Sequence, residues 1–181
     1  MSYWDLAELL LPRSSETLAS VKIFTALATH LPSSMVRHRR AISAWKATGC
    51  QCVMGEFKGK QVHCKVCKKD FIGNEEKESD VNLAIHLLND ARNNRMDVAY
   101  VVSSDSDLSP ALRMCSTEFP SVELVTVAPP TKVPSKKNFA ACSRAITLNW
   151  SHVDACLMPQ QVIGPDGKVW ATRPAEYDPP V

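Results

Sequence analysis

Apolar and polar positions fall along this chain in blocks of differing period, and the blocks predict an alternating series of helices and strands. Residues 3–11 put Trp4, Leu6, Leu9 and Leu10 on a short amphipathic helix that Pro12 closes. Residues 21–27 suit a strand. Pro32 and Ser33 open a helix with Met35, Ile42 and Trp45 on one side, ending near Gly49. Residues 50–57 read as a second strand, Lys58-Gly59-Lys60 as a turn, and residues 61–65 as the returning arm of a hairpin. The charged stretch 66–78 reads as loop. In residues 79–94, Val81, Ala84, Ile85 and Leu88 recur at helical spacing.

The clearest block is residues 97–102, where Val98, Ala99, Tyr100, Val101 and Val102 form an almost unbroken apolar run. Such a run suits a strand covered on both faces, as in a parallel sheet. A short helix follows, from near Asp107 to before Pro120. Residues 122–127 form a second buried strand, stopped by Pro129 and Pro130. A helix around 135–143 and a strand around 145–150 complete the series. From residue 159 the chain is rich in Pro and Gly and reads as a tail extended over the surface. The alternation favours an α/β fold with a mainly parallel sheet, as one domain over residues 1–158 with the tail at 159–181.

Composition narrows the class only a little. At 181 residues, 45% hydrophobic and 22% charged, the chain has the makeup of a globular domain with a real core. The start lacks the basic and apolar segments of a secretory signal, and no apolar run reaches membrane-spanning length. Seven cysteines, an odd number without an export signal, suit free thiols and a cytoplasmic location. The net charge of +2 discriminates little, but its distribution is uneven. Arg37, His38, Arg39, Arg40 and Lys46 form one basic cluster. Lys58, Lys60, Lys65, Lys68 and Lys69 form a second, and Lys132, Lys136 and Lys137 a third. Each suits a polyanionic substrate, or is only a solvated face.

Two sets of residues carry candidate chemistry. Ser103-Ser104-Asp105-Ser106-Asp107 follows the apolar run at the carboxyl end of its strand, where open α/β sheets place ligands. Asp80 opens the preceding helix. Three carboxylates in these positions can collect a hard divalent cation. Taken singly, Asp80 also reads as a helix-start acid behind a Ser79 cap, Asp107 as a cap and Asp105 as the acceptor of an Asx turn. The second set is Cys64 and Cys67, a CxxC that suits zinc, with Cys50, Cys52 and His63 near in sequence. Free thiols beside a loop are the alternative.

The string EEKESDVNLAIHLLNDA, followed by DVAYVVSSDSDLSPAL, resembles the NYN domains of the PIN-like nuclease superfamily. Their usual pattern is close to EKGxDVxLAxDLLxxA and then DxAxLVSGDSDLxPxV. The resemblance extends to YWDLAELL, to VKIFTA and to VAPPTKVPSKKNFAACSRAITL. It implies a small Rossmann-like, three-layer fold with an acidic pocket that binds Mg²⁺ or Mn²⁺ and cleaves RNA. By motif match, Asp80, Asp105 and Asp107 are its metal-binding, catalytic acids, and Asn82 and Ser103 shape the pocket. Arg37, Arg39, Arg40, Lys136 and Lys137 are the expected RNA contacts. The chain departs from the pattern at Glu78 and Ser104, where the family has Gly. It also starts at what resembles the segment after the family's first strand, which ends in Asp, so that strand and acid are expected to be missing from residues 1–181; Asp5 is no substitute. The leading expectation is a metal-dependent endoribonuclease. Its rivals are a non-catalytic RNA-binding or adaptor module and, more distantly, a metal-dependent phosphatase or DNA nuclease. The sequence carries no signal for oligomeric state.

Overall fold

The apolar run lies where the pattern puts it, as a strand in a parallel sheet. A computed structural model describes residues 1–11 and 16–178. In chain order its elements are α1 (Tyr3–Leu10), β1 (Lys22–Thr25), α2 (Pro32–Ala47), β2 (Gln51–Met54), β3 (Glu56–His63), β4 (Asp70–Lys77) and α3 (Ser79–Arg92). β5 (Val98–Val102), α4 (Ser109–Glu118), β6 (Glu123–Ala128), α5 (Lys136–Phe139), β7 (Arg144–Thr147), α6 (Trp150–Ala155), β8 (Gln161–Ile163) and β9 (Val169–Thr172) follow. Pro12, read as the stop of the first helix, lies outside the described residues. The fold is α/β, and the chain divides into two units, Met1–Val21 with Leu83–Leu157 and Lys22–Asn82 with Met158–Val181.

In the first unit β5, β6 and β7 pair in parallel in that order, with Ala99 opposite Leu124 and Val127 opposite Ile146. β6 is buried on both faces, which explains its unbroken apolar composition. Leu124 packs with Leu87, Ala91, Leu112 and Cys115, from α3 and α4. Val125 and Val127 pack with Leu6 of α1, Leu148 and Cys156. α1 is capped by Ser2, whose Oγ accepts the Asp5 N–H, and the Ser2 N–H donates to the Cys156 carbonyl at 2.7 Å. α6, absent from the sequence expectation, is closed by reciprocal bonds between Asn149 and His152.

Polar groups also tie the three strands. Arg144 of β7 donates to Glu123 at 2.6 Å and to Glu16 at 3.0 Å, and the Tyr100 hydroxyl donates to Glu16 at 2.7 Å. The Arg144 hydrogen bond holds the Glu123 carboxyl below its ordinary range. Burial first, and the Glu16 bond second, push the Tyr100 hydroxyl up.

In the second unit β1 and β2 pair in parallel, with α2 as the crossover between them. Parallel strands thus fall in two sheets rather than in one central sheet, and among the described residues β5 pairs on one side only, with β6. Ala44 of α2 is buried with Met158, Val162 and Ala171. The tail read as extended therefore doubles back, with β8 and β9 antiparallel and Gly167 left-handed between them.

The hairpin expected around Lys58-Gly59-Lys60 is elsewhere. β3 runs straight through these residues and pairs antiparallel with β4, Gly59 facing Asn74 and His63 facing Asp70. The charged stretch 66–78 is therefore mostly strand. At its base Gly55 permits a close approach, since a Cβ there would lie 2.5 Å from the Lys77 carbonyl. Most of the ribbon is solvated, and its charges pair locally, as Lys60 and Lys77 do with Glu75.

Candidate active site

The acids after β5 are held by local hydrogen bonds. The Ser103 N–H donates to the Val127 carbonyl at 3.0 Å, carrying the sheet register one residue past β5. Ser103 Oγ then accepts the Asp105 N–H at 3.0 Å, and Asp105 Oδ1 accepts the Asp107 N–H at 2.9 Å. Asp105 so caps the 3-10 turn Ser106–Leu108. Buried Leu108 anchors that turn, and Pro110 starts α4 where a missing N–H costs nothing. Asp105 and Asp107 are thereby both exposed at the carboxyl end of β5. The Asx-turn reading of Asp105 holds, and it occupies only one carboxylate oxygen.

One residue that the sequence did not reveal completes the arrangement. Asn138 of α5 is fully buried, and its Nδ2 donates to the Asp105 main-chain carbonyl at 2.8 Å. The two residues before it on α5, Lys136 and Lys137, are exposed. Asn138 Oδ1, Ser104 Oγ and Thr126 Oγ1 are buried with no hydrogen-bond partner among the described residues. Buried oxygens of this kind are usually met by water or an ion. Donors that are all oxygen fit a hard cation such as Mg²⁺ or Mn²⁺. Among the described residues, no group of three or more His, Cys, Asp or Glu is placed to hold a metal ion.

Asp80 and Asn82 stand in the first turn of α3, in the second unit. Ser79 opens this helix and its Oγ donates to Glu76 at 2.5 Å instead of capping. The Asn82 N–H donates to the Glu78 carbonyl at 2.7 Å. Glu78 has φ 76, the left-handed region that favours glycine. The apolar stripe read on this helix is rotated, because Val81 and Ile85 are exposed while Leu87 and Ala91 are buried. Arg37, Arg39 and Arg40 lie on α2, also in the second unit; Arg37 donates to Ser34 Oγ at 3.2 Å, and Arg39 and Arg40 are exposed. The first unit thus holds Ser103, Asp105, Asp107, Lys136 and Lys137, and the second holds Asp80, Asn82, the arginines and the CxxC.

None of the seven cysteines is in a disulfide. Burial raises the thiols of Cys52, Cys115, Cys142 and Cys156, with Cys142 pushed up to about 11. Cys64 goes the other way, lowered chiefly by the Cys67 N–H that points at its sulfur.

Residues 1–149 match the NYN domain family. The chain belongs to the NYN domain family. This places it among nuclease-like, PIN-like domains that generally act on RNA. Over 95 residues it is 33% identical to 6-hydroxy-3-succinoylpyridine 3-monooxygenase HspA of Pseudomonas putida (strain DSM 28022 / S16). That match covers 50% of this chain and 30% of the relative, so the chain spans about a third of the length of the curated relative it matches. Among solved structures it is similar to a protein of Burkholderia pseudomallei K96243 described as pilus assembly-related. The TM-score is 0.32 at 11% identity, covering 79% of this chain and 90% of the other, and at that score the likeness carries no argument. No helix among the described residues is long and apolar enough to cross a membrane.

Proposed function

We propose that this NYN domain is a metal-dependent endoribonuclease, with the PIN-like three-layer fold that the family implies. The observation that carries the reading is the Asp105–Asp107 pair, fixed at a strand's carboxyl end by its own backbone and by Asn138. When bound, Mg²⁺ or Mn²⁺ supplies Lewis acidity at the phosphodiester and a lowered pKa for the attacking water. Asp105, with one carboxylate oxygen outside its Asx bond, is the ligand of this reading. Asp107 is a second ligand or orients the water. Lys136 and Lys137 hold the RNA backbone without reading its sequence. Asp80 and Asn82 enter through their place in the family motif, and Arg37, Arg39 and Arg40 as further phosphate contacts.

A second reading, an RNA-binding or adaptor module without chemistry, is favoured by one observation: no three-acid group stands ready for a metal among the described residues. Incubation with labelled single-stranded RNA and Mg²⁺ or Mn²⁺ separates the two. The enzyme reading expects cleavage that Asp105→Asn lowers by on the order of 10²-fold, about 2.7 kcal/mol of barrier, with the fold intact. RNA that is bound but never cut, under either metal, leaves the binding module. Equal cleavage by Asp105→Asn moves the site elsewhere.

A further inference from the structure

The turn joining β3 to β4 carries chemistry that RNA cleavage does not use. Cys64 and Cys67 stand in it, and main-chain bonds hold its shape. The Cys64 N–H donates to the Lys69 carbonyl, and the Lys68 N–H to the Cys64 carbonyl, both at 2.9 Å. The Cys67 N–H lies 3.4 Å from Cys64 Sγ, and Lys68 takes a left-handed φ of 58. An N–H aimed at a sulfur stabilises thiolate and orients it. Two thiolates at this spacing are half of a tetrahedral zinc set.

Among the described residues no third His, Cys, Asp or Glu joins the pair in a metal-holding group. The His63 ring is engaged by Asp70 at 2.8 Å. Cys50 is buried on the approach to β2.

The surroundings of the turn differ from the rest of the ribbon. Toward the base, lysines and glutamates cover the strands. Beside the turn, Phe71 and Ile72 are 53% and 66% exposed, and Val66 within it is 92% exposed. Phe71 sits directly across from Val62. On one face of the ribbon, half-exposed Phe71 beside Val62, next to half of a ligand set, calls for one partner that supplies both cover and thiolates. A second copy of the chain does so, since a two-fold axis through the ion duplicates both features. Charge agrees. One Zn²⁺ with four thiolates carries a net negative charge, and Lys65, Lys68 and Lys69 of each copy stand beside it.

We propose that the β3–β4 turn is a zinc site shared between two copies of this chain, each giving Cys64 and Cys67. The site is independent of the ribonuclease reading. Binding releases the thiol protons to solvent, and no oxidant is needed.

The test uses the full chain, reduced, stripped with a chelator and titrated with Zn²⁺, with Co²⁺ as the spectroscopic probe. We expect saturation near about one ion per two chains, tetrahedral cobalt–thiolate absorption, and a light-scattering mass that doubles with metal and reverts with chelator. Cys64→Ser with Cys67→Ser should abolish all three while circular dichroism stays unchanged, and Cys52→Ser should leave them intact. Saturation at one ion per chain without a change in mass overturns the proposal. So does undetectable metal binding, or binding that survives the double substitution.

Discussion

The Asn138 side-chain amide reaches across to the Asp105 main-chain carbonyl at 2.8 Å, so that a four-residue helix holds the acidic loop. Removing this bond strands a carbonyl in a place where Asn138 itself is fully buried. Asn138→Ala is expected to lower stability by about 1–3 kcal/mol, read by urea denaturation. It should also slow RNA cleavage more than it weakens RNA binding, because it acts on the placement of Asp105 rather than on phosphate contacts. An unchanged midpoint and an unchanged rate would show that the loop holds its shape without α5.

Lys136 and Lys137 are exposed on that same helix. If they contact phosphates, each released counterion steepens the dependence of binding on salt. Each Lys→Ala change should then flatten the slope of log K against log salt for single-stranded RNA by about 0.7. Slopes equal to the parent's would assign these lysines to solvated surface.

Glu78 holds a left-handed backbone, with φ 76. Side chains with a Cβ pay for that conformation, whereas glycine does not. Glu78→Gly is expected to raise stability by about 0.5–1 kcal/mol, the relief of strain outweighing the extra freedom of the unfolded chain. Thermal or urea unfolding checks the sign. A loss of stability would mean that the Glu78 carboxylate, close to Lys58, contributes more than the backbone costs.

The half-buried and buried thiols make stability fall on the alkaline side. Cys142 is pushed up to about 11, first by burial and then by Cys115 beside it. A group whose folded pKa exceeds its unfolded value of about 8.5 stabilises fully below the latter. That contribution is lost as pH rises through the folded value. Unfolding free energy should therefore drop between about pH 9 and pH 11, and Cys142→Ala should make the decline shallower. An identical decline in the variant would assign it to other groups.

What the sequence made legible follows from burial. β5 and β6 could be read because covered strands must be apolar, and the Asp105–Asp107 pair because acids beside such a strand have no packing role. The β3–β4 ribbon could not, because most of its residues on both faces are solvated and carry no period. Gly59 between two lysines imitated a turn, while the real turn places Lys68, not glycine, in the left-handed position. On α3 the apolar residues outnumber those the core takes, so Val81 and Ile85 misplaced the buried face that Leu87 and Ala91 occupy. Asn138 left no signal at all. A polar residue in a short helix looks solvated until the fold brings a carbonyl to it.

The bond from Ser2 to the carbonyl of Cys156 sets a schedule as well as a shape. The ribosome makes Leu6 long before Leu148 and Cys156, the partners that cover it. At roughly 5–20 residues per second this leaves the first helix waiting on the order of ten seconds. The β3–β4 ribbon, whose pairs are neighbours in sequence, closes within microseconds of emerging. Synthesis therefore parts Leu6 from its shelter, while the ribbon carries its own. Through that interval the first helix is the natural client of whatever chaperone attends the nascent chain.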